Sequence, residues 1–136
     1  MQVKRILSVF LVFVLFSGCA GLVVDPKSNN AITIFTESLN NVTIMCAVDE
    51  NKIDLTKEKE DLNQIIKNLN SVIDEKKQYD KAQTTIIMIN STINLLNSWI
   101  MQIDKGNTKK VKNYIDSRGK DIIQSLQDLL DNENKK

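Results

Sequence analysis

Beyond residue 30, apolar positions recur at helical spacing in four stretches, with polar residues filling the gaps. In the first stretch Ile32, Phe35, Leu39, Val42 and Cys46 follow one another at intervals of three and four residues. The second places Leu62, Ile65, Ile66, Leu69, Val72 and Ile73 on a single stripe. The third runs through Tyr79, Ala82, Ile86, Ile89, Ile93, Leu96, Ile100 and Ile103 without a break, and Met88, Leu95 and Trp99 widen its face. The fourth, Val111, Ile115, Ile122, Leu126 and Leu129, is weaker because Arg118 and Gly119 interrupt it. An apolar stripe on a helix must be covered by another element, so the pattern predicts an all-α domain.

The joints carry their own signals. Residues 49–55 are charged and polar, and Gly106 suits a left-handed residue just past the end of the third helix. Between Lys57 and Lys105 there is neither Gly nor Pro, so one helix of about 49 residues and roughly 74 Å is the rival reading. The two stripes fall out of phase at residues 76–82, which favours a turn near 76–79. Asn30, Thr56 and Asn107 or Thr108 are the expected N-caps, and Asp80 to Gln83 has the form of a capping box. Four helices of about 20–25 residues with short joints predict an up-down-up-down bundle, the alternative being a long helical hairpin or coiled coil. Residues 84–87, Thr-Thr-Ile-Ile, are mediocre helix formers, and packing is expected to override that preference. The charged tail, residues 132–136, is expected to fray.

Upstream of residue 30 the pattern changes. Lys4 and Arg5 precede an apolar run over residues 6–16, and Ser17, Gly18, Cys19 and Ala20 follow. This is the layout of a secretory signal, and its apolar run is too short for the ~20 residues of a spanning helix. Phe16-Ser17-Gly18-Cys19 resembles the lipobox of bacterial lipoproteins, although Phe16 stands where that family usually has Leu. The resemblance implies lipidation of the Cys19 thiol, cleavage after Gly18 and a membrane anchor outside the cytoplasm. It also implies sorting to the outer membrane where the host has one, since Ala20 is not the Asp that favours inner-membrane retention. Two other outcomes stay open. Gly18-Cys19-Ala20 also fits ordinary signal peptidase, and the uncharged residues 6–24 are just long enough for an uncleaved anchor. All three export the domain. The expected division is a signal at 1–18, the lipidated cysteine and a flexible tether at 19–30, a helical domain at 31–131, and the tail.

Charge narrows the partners. Removing Lys4 and Arg5 from the 18 basic and 17 acidic residues leaves 16 against 17, so there is no electrostatic case for nucleic acid. The chain has no His, which removes the commonest general base and metal ligand. No cofactor, metal or catalytic residue is expected. Acidic residues are the only reactive candidates: Asp49-Glu50, Glu60-Asp61, Asp74-Glu75 and Glu58. Lys57, Lys59, Lys76 and Lys77 are mixed among them, as on a solvated helix face. Cys46 on an apolar stripe is expected to be a buried, inert thiol.

Asn90, Asn94 and Asn97 form a polar row beside the third stripe. They are either a solvated face or a strip that hydrogen-bonds a partner protein. Trp99 either closes the core or crowns an exposed patch with them. The leading functional expectation is a non-enzymatic envelope lipoprotein whose helical module binds a protein or supports envelope assembly. A carrier of a lipid or small apolar ligand, and a phage or mobile-element lipoprotein acting on a host envelope, are the alternatives.

Overall fold

The computed structural model describes residues 24–136. The expected lipobox, Phe16 to Cys19, lies outside the described residues. Four helices follow in order: α1 (Asn29–Cys46), α2 (Leu55–Lys76), α3 (Gln83–Asp104) and α4 (Thr108–Asn134). There are no strands among the described residues. α1 packs against α2 and α4, and α3 packs against the same two. With short joints between them, the helices form an antiparallel ring in chain order, which is the expected up-down-up-down bundle. A turn breaks α2 from α3, so the single long helix is not formed.

Each boundary has a local cause. Asp54, not Thr56, caps α2, its Oδ1 accepting from the Lys57 amide at 3.1 Å. Ser28, not Asn30, caps α1, its Oγ accepting from the Ala31 amide at 3.1 Å. The expected capping box at Asp80 is absent, because Asp80 already sits in a 3-10 turn, Asp80–Ala82, while Tyr79 takes the extended conformation. Gly106 has φ +70°, and the Asn107 side chain accepts from the Lys109 and Lys110 amides at 2.9 and 3.2 Å. Both were expected at that joint.

The core is aliphatic with two aromatic plugs. Phe35, Leu62, Leu69, Leu96, Trp99 and Leu126 are all fully buried. Such burial is worth about 1.5–3 kcal/mol per side chain before entropy is counted. The stripe of α1 is displaced by one residue from its expected phase: Ala31, Phe35, Ser38, Val42 and Met45 face inward, while Ile32, Leu39 and Cys46 are half-buried. Both rows satisfy the 3-4 spacing, and Phe35 and Val42 belong to both. Contact with α2 and α4 selects the inner one.

Both ends of the chain depart from expectation. Residues 24–30 are not a free tether, since Asp25 is buried and α1 begins at Asn29. Residues 132–136 do not fray from 132, since α4 continues to Asn134 and Glu133 is fully buried. The two segments cover each other, and the reason lies in their charges.

Candidate functional site

Chain order brings the start of α1, the end of α2, the start of α3 and the end of α4 to one end of the bundle, here the near end. Lys76, in the last turn of α2, is fully buried there. Its ammonium donates to Asp25 Oδ1 at 2.7 Å, to Glu133 Oε2 at 2.7 Å and to the Pro26 carbonyl at 3.3 Å. Those contacts use all three donors of the group. Lys136 pairs with Asp25 and Glu133 in turn. The Ser28 amide donates to Glu133 Oε2 at 2.9 Å, and the Ser28 hydroxyl donates to Glu75 Oε1 at 2.5 Å. Burial alone would lower the Lys76 pKa, but its bonds to Asp25 and Glu133 outweigh that, and the net direction is upward. The cluster straps residues 25–28 across the ends of α2 and α4.

At the far end the buried charge has no such company. Glu58, on the first turns of α2, is only 6% exposed, and its Oε1 accepts from the Trp99 indole at 2.6 Å. A buried indole N–H needs an acceptor, and Glu58 supplies it. Burial pushes the Glu58 pKa up; the indole bond pulls it down, and the nearby Asp61 charge pushes it up again. The start of α2 offers the partial positive charge of a helix N-terminus, and among the described residues no Lys or Arg forms an ion pair with Glu58. Glu58 lines a groove of about 180 Å³ between α1 and α2, with Ile44, Met45, Val48 and Ile53 on its apolar side and Lys52, Asp54, Lys57 and Asp61 on its charged side. A buried carboxylate opening on such a groove can hold a proton, accept a hydrogen bond or pair with an incoming cation.

Cys46 sits beside this end, half-buried. A Cβ built on Gly119 would come within 3.0 Å of its sulfur, so the bare backbone of α4 makes room for the thiol. Burial, then the Glu58 charge, raises the Cys46 pKa to about 11, with Lys112 opposing. At neutral pH it is a protonated, unreactive thiol.

The expected site residues do not converge. Asn90, Asn94 and Asn97 are exposed on the outside of α3. Trp99 is fully buried, its ring centroid 6.4 Å from that of Tyr114, so it is a core residue and not part of a surface with the asparagines. Glu58 and Lys76 leave the expected solvated charge face altogether, because each extends its apolar stripe. Glu58 precedes Leu62 by four residues, and Lys76 follows Val72 by four. Glu133 likewise follows Leu129 by four. That spacing was the available signal. Among the described residues, no three metal-ligating side chains gather, and no helix is long and apolar enough to cross a membrane. No protein-family model matches the chain, nor does any curated protein or solved structure.

Proposed function

We propose that this chain is a lipid-anchored protein of a bacterial cell envelope, held outside the cytoplasm through Cys19. Its helical bundle works as a non-enzymatic module that binds an envelope protein. The observation that carries the reading is the run of Lys4-Arg5, an apolar stretch and Phe16-Ser17-Gly18-Cys19, which ends six residues before Asp25. A chain of that length reaches at most ~22 Å, so an acylated Cys19 would keep the near end of the bundle at the lipid surface. The domain's near-neutral charge and its lack of His leave binding, rather than reaction, as the work it is suited to.

The decisive experiment is the mass of the N-terminus of protein purified from membranes. An acylated cysteine as first residue is the expected result, together with labelled palmitate uptake that Cys19→Ser abolishes. A free N-terminus at Cys19, at Gly21 or at Met1, without lipid, would overturn the anchor.

A further inference from the structure

α1 and α2 touch each other least of the four neighbouring pairs in the ring. At the far end their seam widens into the groove already described, with Met45 and Glu58 deep in it and Ile44 standing 66% exposed at its rim. A second concavity shares Ile44, Met45, Lys57 and Asp61 and continues to Asn41, about one turn back along α1. The two make a furrow that follows the helices. The first concavity is below the ~300 Å³ at which pockets for drug-sized ligands begin. It has the volume of about six waters, which suits one long side chain.

Nothing in the fold requires a charge at Glu58. A glutamine oxygen would accept the Trp99 indole hydrogen as well, without the cost of burying an anion. Lys52 and Lys57 line the groove as well, Lys57 held by Asp61 at 3.0 Å, and against Asp54, Glu58 and Asp61 they leave the lining with a net negative charge; Lys112 lies 3.3 Å from Asp116. The Glu58 carboxylate is thus a desolvated acceptor, beside Met45 and Val48 in a lining of net negative charge, whose complement is a cation on an apolar stem. We propose that this furrow binds a segment of a partner protein that lays a lysine or arginine stem over Met45 to reach Glu58, with an apolar neighbour against Ile44 and Val48. An arginine or lysine stem packs on apolar surface while its head seeks a charge, and the elongated furrow favours a peptide chain over a small amine. The proposal rests on the reading of the bundle as a protein-binding module, and it names the chemistry of the partner.

Trp99 is the chain's only tryptophan, so its indole fluorescence and indole N–H resonance report on Glu58 directly. The test uses the acylated full-length protein in dodecyl maltoside micelles, titrated with N-acetyl-Leu-Arg-Leu-amide. A saturable shift of the indole signals is expected, and the citrulline analogue, which keeps the shape and loses the charge, should bind at least about tenfold more weakly. Glu58→Gln should lose a similar factor while remaining folded. Ile44→Ser, which leaves the Glu58–Trp99 pair untouched and adds no charge, should weaken binding through the rim. No shift up to about 10 mM peptide, or equal binding by Glu58→Gln, overturns the proposal. Equal binding by methylguanidinium alone overturns the peptide occupant, and so does self-association that Glu58→Gln abolishes without any peptide effect. Cys19→Ser protein should bind the peptide as the parent does, so failure of the anchor and failure of the furrow give different results.

Discussion

At Glu58 a carboxylate accepts a hydrogen bond that an amide oxygen would accept as well, and the difference has a sign that pH reveals. Its folded pKa lies above the ordinary value of 4.5, so the native state holds the proton more tightly than the unfolded chain. The contribution of Glu58 to stability is therefore complete below about pH 4.5 and is lost as pH rises through the folded pKa. Glu58→Gln should raise stability at neutral pH, on the order of 1 kcal/mol, and the gain should vanish in acid. Thermal melts of the two proteins at several pH values check this, and equal melting temperatures at neutral pH would remove the case for a buried charge. Gly119 offers a second test of the same size. Alanine there gains about 1 kcal/mol of helix propensity but presses a methyl on the Cys46 sulfur at 3.0 Å. In a Cys46→Ala background the press is gone, so Gly119→Ala should be more favourable there than in the parent, by about 1 kcal/mol in a double-mutant cycle. Additive effects would mean that the thiol moves aside freely. Neither feature was legible as such: Glu58 stood among lysines that suggested solvent, and Gly119 looked like an interruption of the α4 stripe. It is instead the place where α4 makes room for the Cys46 thiol of α1.

The helices themselves were legible because their stripes are long and their joints carry the right residues. Gly106 and Asn107 were readable as a C-terminal glycine and an N-cap, since few other residues serve there. The phase of α1 was not, because its Ile, Leu and Thr content puts two apolar rows side by side and only the neighbours choose between them. The chain ends failed for a related reason. Asp25, Lys76 and Glu133 are each ordinary surface residues by type, and only their meeting across 51 and 57 positions of chain makes them interior. The consequence at this scale is that the strap and the last turn of α4 stand or fall together. Lys76→Met leaves Asp25 and Glu133 sharing only the more exposed Lys136 and should cost about 3 kcal/mol, the lower end of what breaking a buried pair costs. Hydrogen exchange should then speed selectively at Ser28 and in the last turn of α4. Adding Asp25→Asn and Glu133→Gln removes the stranded charges and should recover much of that loss. The pH sign is opposite to that of Glu58. With the Lys76 pKa raised above 10.5, the contribution is complete below that pH and is lost as pH climbs through the folded value. Unfolding curves that stay flat across the alkaline range would show that the ion cluster contributes little.

Taken as a whole, the molecule has a polarity that follows from where its strap is tied. The near end holds residues 25–28 against α2 and α4, and only five residues lie between Asp25 and the cysteine proposed to carry lipid. The far end, with its furrow, stands off by the length of the bundle, about 33 Å for a 22-residue helix such as α2. A bundle on a long loose tether would present every face to the membrane in turn, whereas a strapped one presents its far end outward, where a partner can reach it. The prediction is therefore one of orientation. With acylated protein on vesicles, a fluorophore on Lys81→Cys at the near end should transfer energy strongly to acceptors in the bilayer. One on Lys105→Cys at the far end should transfer weakly. Cys46, half-buried and with its pKa pushed up to about 11, should take little label at neutral pH. Lys76→Met should bring the two labels' transfer efficiencies together, because loosening the strap frees the bundle to tumble. If the parent protein already shows equal transfer from both positions, the near end does not face the membrane, and the strap serves stability alone.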